Sequence, residues 1–309
     1  MSFAQITARR ENGHRRPKGY ADWRPQAKTC ALLEQVNAVL DEYYDFLPLT
    51  VRQIFYRLVG AYEYDKTESA YARLGDHLVR ARRARLIPFE AIRDDGVVIY
   101  TPEWYSDLES FHNETAERAR GYRRSRQAGQ DHRIELWTEA AGMAPQLTRV
   151  AYEYSVPVYS SGGFSSLTAV RQIVDRSRSH AGATVLLHVG DYDPSGEAIF
   201  TAIATDAAAF LEEDRIINTQ QIVSERVALT AEQVAGYDLP TTPAKSSDTR
   251  SRNWQGTETC QLEALAPDEL AAIVRSAIDS YFDVEILQLQ LDREHEERAE
   301  LLGLPRGTV

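Results

Sequence analysis

The sequence predicts an α/β multidomain protein, with a mostly helical front module and a back module built on a parallel sheet. Two observations carry this. Up to about residue 85 the apolar residues recur at helical spacing, whereas from His132 onward short strand patterns alternate with helical ones. Charge divides near the same place: residues 1–133 hold 22 Lys and Arg against 19 Asp and Glu, a net of +3, while the whole chain is at −11. A basic-leaning front on an acidic back suggests two modules with different tasks.

The front elements follow in order. Residues 1–25 are polar and basic, with Arg9, Arg10, Arg15, Arg16 and Lys18, and read as a flexible arm. Leu32, Leu33, Val36, Val39 and Leu40 fall on one face of a helix over 26–44. Pro48 breaks the chain, Thr50 stands where an N-cap belongs, VRQIFYRLVG follows as a helix, and Gly60 is placed to close it. Ala70, Leu74, Leu78 and Ala81 stripe a third helix over 66–84, whose other faces carry Arg73, His77, Arg80, Arg82 and Arg83. GVVIY, residues 96–100, reads as a strand. Three helices, the last one basic, before a small β element is the order of a winged helix-turn-helix, placed here over 26–120. Residues 103–130 read as a helical, charged connector, with an exposed linker at 121–131.

The back module spans 132–285. HRIELW is a strand, 140–154 a helix, VPVYSS a strand, and a helix starts near Ser165. ATVLLHVG is apolar almost throughout, as expected for a strand buried on both faces, and a helix over 195–211 follows it. Residues 240–256 form a long polar loop, and 266–281 and 283–302 are helices. The tail over 286–309 carries DREHEERAE, a solvated face or a docking helix.

Composition excludes several classes. Hydrophobic residues at 43% and charged residues at 26% are globular values. No apolar run approaches the roughly 20 residues that span a bilayer, and the basic N-terminus has no apolar core of a secretory signal. Cys30 and Cys260 are too few for a disulfide framework or a cysteine zinc site. The expectation is a cytoplasmic, nucleoid-associated protein with no membrane partner.

The sharpest chemical signal is GDYDPSG, residues 190–196. Asp191 and Asp193 directly follow a buried strand, and sites in parallel sheets lie at the carboxyl ends of strands. Residues i and i+2 of an extended chain point the same way, so two carboxylates stand together and raise one another's pKa. A divalent cation removes that cost, and oxygen ligands suit Mg²⁺ or Mn²⁺. Glu139, at the end of another strand, is the third acid, or else a first-turn helix acid. Glu135, inside the same strand, is the weaker candidate. SSGGFSS over 160–166 is a strand-to-helix turn or a phosphate cradle, and His188 reads as a satisfied core histidine.

A Glu after one strand and D-x-D-P-x-G after a later one resembles a Toprim domain, the Mg²⁺-binding module of topoisomerases, primases and some nucleases. With a winged-helix module in front, the chain resembles the A subunit of topoisomerase VI and the meiotic double-strand-break transesterases. In TVRQIFYRLV, Arg52 matches the family's arginine, Phe55 its first aromatic and Tyr56 its catalytic tyrosine. Helical geometry places Tyr56 off the centre of the apolar arc of Val51, Ile54, Phe55, Leu58 and Val59, at the margin of the core or exposed.

The resemblance implies that Tyr56 attacks a DNA phosphodiester to give a 5′-phosphotyrosyl link. Glu139, Asp191 and Asp193 would hold Mg²⁺, and Arg52 would steady the phosphate. It further implies a Rossmann-like fold for the back module, double-stranded DNA as partner, a homodimer in which one protomer's tyrosine works with the other's metal, and a separate ATPase subunit for strand passage. Phe55 stands where the family usually has a tyrosine, and Ala140 where many Toprim domains have a lysine. The alternatives are a Toprim hydrolytic nuclease of the plasmid- or phage-defence type, with water as nucleophile, and a non-catalytic DNA-binding protein. For phosphate contact the candidates are Arg73, His77, Arg80, Arg82, Arg83 and Arg85, with Lys245, Arg250 and Arg252 in the polar loop.

Overall fold

The computed structural model describes residues 20–93, 102–160, 167–244, 254, 256 and 258–303. The chain is mixed α/β and divides into two compact units, Met1–Arg93 and Asp94–Val309. The division thus falls ahead of residue 120, and the helix over 108–120 belongs with the sheet unit.

The first unit holds α1 (Ala27–Glu42), β1 (Leu49–Thr50), α2 (Val51–Tyr62), α3 (Glu68–Arg83) and β2 (Ile92–Arg93). Thr50 caps α2 through a reciprocal box with Gln53, at 3.1 and 2.9 Å. The helix runs past Gly60 and ends at Glu63, which takes the left-handed conformation with φ 52°. Thr67 caps α3 through the Ala70 amide. The stripe Ala70, Leu74, Leu78 and Ala81 is buried, as are Leu33, Val36, Val39 and Leu40 of α1. β1 pairs with β2 in parallel, an element the sequence pattern did not announce. The expected strand over 96–100 lies outside the described residues.

The second unit is built on a four-stranded parallel sheet of order β4-β3-β5-β6. It contains α4 (Leu108–Arg120), β3 (His132–Thr138), α5 (Ala144–Glu153), β4 (Val158–Ser160), α6 (Leu167–Arg178), β5 (Ala183–Val189), α7 (Pro194–Asp214) and β6 (Gln221–Ala228). After these come α8 (Ala231–Gly236), the short pair β7 (Thr242–Pro243) and β8 (Glu258–Thr259), α9 (Pro267–Asp279) and α10 (Val284–Gly303). β5 is buried at every residue, as a central parallel strand requires. Trp137, Val170, Ile173, Leu186, Phe200 and Ile203 share one cluster that joins the sheet to α6 and α7. β6 was not foreseen, because Ser224, Glu225 and Arg226 interrupt its apolar pattern.

Residues 121–131 are not an exposed linker. Arg126 and Gln130 are buried, and α10 holds the stretch down. Arg126 pairs with Glu294, Arg124 with Glu297, and Arg298 donates to the Tyr122 carbonyl at 2.7 Å. Gln130 and Asp283 exchange hydrogen bonds at 3.0 and 2.7 Å. The acidic tail helix neutralises Arg124 and Arg126, so the DREHEERAE run docks within its own unit.

Candidate metal centre

The strand order sets the position of the site. From β3 the chain moves to β4 on one side, then crosses to β5 on the other. The switch point therefore lies between β3 and β5, the place where open parallel sheets bind ligands. Glu139 follows β3, and Asp191 and Asp193 follow β5. The period-two alternation brings Glu135, Trp137 and Glu139 to one face, and Leu186 and His188 share it, since Trp137 pairs in register with His188.

Local structure fixes each acid. Asp193 is the N-cap of α7 and accepts from the Gly196 amide at 2.7 Å, with Pro194 opening the helix. Asp191 accepts from the Leu262 amide at 2.9 Å. That amide is delivered by a backbone bridge between Tyr192 and Cys260, at 2.8 and 3.0 Å. Glu139 accepts from His188 Nε2 at 2.7 Å through Oε2. Its Oε1 is buried and has no hydrogen-bond partner among the described residues.

Both glycines of the motif make room for Glu139. A Cβ on Gly190 would overlap its carboxylate, and one on Gly196 would stand 2.6 Å from Oε1. The same Gly196 position lies 3.4 Å from Asp193 Oδ1, so both Glu139 and Asp193 border the start of α7.

The electrostatics are those of crowded acids. Asp191 is pushed up to about 7, first by burial and then by the charges of Glu263, Asp193 and Glu139, against the opposing Leu262 hydrogen bond. Burial also raises the Glu139 carboxyl, but the His188 hydrogen bond and the adjacent positive charge outweigh it and hold the group below its ordinary value. His188 is 1% exposed and is held below the usual imidazole value, chiefly by burial.

Among the described residues no three His, Cys, Asp or Glu side chains form a closed metal-ligand set. The acids are gathered at one edge. Their chemistry fits a hard divalent cation in two respects: the donors are all oxygen, and the buried Glu139 Oε1 has no partner among the described residues.

Glu135 is excluded from this edge. It is fully buried and Arg176 binds it with two hydrogen bonds, at 2.7 and 2.9 Å. His188 is a buried histidine with both ring nitrogens engaged, as expected, but its tie to Glu139 was not foreseen, and Arg226 and Glu263 were not singled out. A polar residue in the middle of the apolar run ATVLLHV was the available signal for His188; Arg226 and Glu263 gave none.

In the first unit Tyr56 is buried at 7% exposure, not at an open margin. α1 and α3 both pack on α2, so the buried sector is wider than the apolar arc and takes in Gln53 and Tyr56 as well. Phe55 meets the Tyr56 ring edge-on at 5.4 Å, and Lys66 Nζ lies 6.0 Å from its centroid. Arg52 is half-buried one turn before it. Arg73, Arg80 and Arg85 are exposed, and His77 and Arg83 are half-buried. His77 stacks on Trp23. Arg82 is buried, with its guanidinium 3.4 Å from the Ile92 carbonyl, and is therefore a structural group of this unit. Lys245, Arg250 and Arg252 lie outside the described residues, as does the turn over 161–166. Among the described residues no helix is long and apolar enough to cross a membrane.

No family model matches the chain, and no curated protein matches it.

Proposed function

We propose that the chain is a divalent-metal-dependent protein that cleaves DNA, resembling the topoisomerase VI A subunit in joining a winged-helix module to a Toprim-like sheet. The observation that carries the reading is Glu139 Oε1, buried and without a partner among the described residues, at the same sheet edge as Asp191 and Asp193. Glu139, Asp191 and Asp193 would hold Mg²⁺ or Mn²⁺. Bound there, the cation supplies charge stabilisation to a phosphodiester and its leaving oxygen. The Leu262 amide holds Asp191 in place, and the Gly196 amide holds Asp193. Arg73, Arg80 and Arg85 supply exposed cations for phosphate contact on the first unit.

Burial of Tyr56 favours water as the nucleophile. The tyrosyl route is the second reading, favoured by Arg52 one turn before Tyr56 and by Lys66 near its ring. That route would use a homodimer and, for strand passage, a separate ATPase subunit.

The test is cleavage of supercoiled plasmid with Mg²⁺ or Mn²⁺, stopped with denaturant, with and without proteinase. Free-ended product that persists in Tyr56→Phe and is lost in Asp191→Ala is the expected result. Protein-linked ends that vanish in Tyr56→Phe would establish the tyrosyl route. DNA binding that survives in Asp191→Ala, with no cleavage by any version, would make it a binding protein.

A further inference from the structure

His188 and Arg226 face each other in register on β5 and β6. Arg226 Nη1 lies 2.7 Å from His188 Nδ1. A guanidinium only donates, so Nδ1 accepts, the ring proton sits on Nε2, and Nε2 donates to Glu139 Oε2. The imidazole plane is fixed by Phe200, stacked at 4.0 Å and 12°. Arg226 also donates to the carbonyls of Gly190 at 2.9 Å and Asp191 at 2.5 Å, and its Nε to Leu229 at 3.2 Å. One guanidinium thus ties the backbone that presents Asp191 to the imidazole that holds Glu139.

We propose that Arg226 and His188 are positioning residues that lock Glu139 by its Oε2 and leave Oε1 presented to the cation. The inference rests on the metal reading above and extends it to residues outside the acid motif. Hydrogen-bonded partners of a ligand commonly govern metal affinity by about 10–100-fold. A residue that only filled the space under α7 would engage neither ring nitrogen in this way.

The experiment is calorimetric titration of the full chain with Mn²⁺ alone, with metal-free melting as the folding control. His188→Leu and Arg226→Met are expected to weaken Mn²⁺ binding by about 10–100-fold. His188→Gln, which keeps an N–H directed at Glu139, is expected to restore binding to within about threefold of wild type. Should His188→Leu not fold, His188→Asn takes its place, since its amide meets Arg226 but is too short for Glu139. Wild-type affinity in His188→Leu or its replacement, with binding lost in Asp191→Asn, overturns the inference and leaves the metal reading standing. Equal losses in His188→Leu and His188→Gln reduce His188 to packing and overturn it too. Absence of Mn²⁺ binding in wild type overturns the metal reading and the inference together.

Discussion

Glu135 and Glu139 sit four residues apart on and just beyond one strand and face the same side of the sheet, yet they are treated in opposite ways. Around Glu135 every charge is answered: Arg176 binds both oxygens, Trp137 Nε1 donates at 3.2 Å, and Arg133 approaches to 3.4 Å. Among the described residues Glu139 has one side-chain donor, His188, with the charge of Arg226 behind it, and its Oε1 is left without a partner. A charge in the middle of a sheet is tolerable only when paired, because nothing else can solvate it. At the carboxyl edge an unanswered oxygen can be answered by a ligand. The α10 contact repeats the Glu135 pattern, with Glu294 taken up by Arg126 and Arg298 and by the Arg124 amide.

The contrast breaks most directly at Arg176. Arg176→Met leaves the buried Glu135 with only the Trp137 hydrogen bond and the 3.4 Å approach of Arg133, and is expected to cost up to about 3–5 kcal/mol in urea unfolding, with part recovered in the double variant with Glu135→Gln. A loss as small as that of a surface pair would erase the difference between the two glutamates.

Acid should act next. Glu294 is held down to about 2, first by the Arg126 hydrogen bond. A depressed carboxyl stabilises the fold above its unfolded value near 4.5 and loses that contribution as pH falls toward 2. Wild type is expected to lose about 2 kcal/mol more than Glu294→Gln between those limits once solvent screening is allowed for, read from pH-dependent unfolding. Parallel curves would remove Glu294 as a stabilising charge.

Gly190→Ala drives a methyl into the Glu139 carboxylate. It should cost about 1–3 kcal/mol and abolish the proposed metal-dependent cleavage. Normal melting and normal cleavage together would mean that the carboxylate has room to lie elsewhere.

The smallest effect is a gain. Asp191 is raised to about 7, so in the metal-free protein its ionised form opposes folding increasingly as pH climbs from its unfolded value of 3.8. Asp191→Asn should therefore stabilise the metal-free chain by about 1–2 kcal/mol at pH 8, with the gain shrinking toward pH 4, while cleavage is lost. A destabilised Asp191→Asn would make the edge structural, like Glu135.

Much of this was legible. The Thr50 cap, the buried stripe of α3, the alternation of strands and helices, and acids at two strand ends are all local signals. Three features were hidden. β6 carries a polar triplet because Arg226 serves His188 and the β5 end. Tyr56 is buried because α2 is covered from two sides. Residues 121–131 look like a linker until α10 returns to pair Arg124 and Arg126.

By itself the sequence determined the α/β class, the main helices, the strands β3, β4 and β5, and the placement of Glu139, Asp191 and Asp193 at strand ends, since caps and periodicities depend on neighbours along the chain. Only the tertiary structure decided which charges are answered. His188 meets Glu139 across 49 residues and Arg126 meets Glu294 across 168. Such pairings are set by how strands stack and helices return, and they separate a glutamate with both oxygens bound from one with an oxygen that no described residue answers.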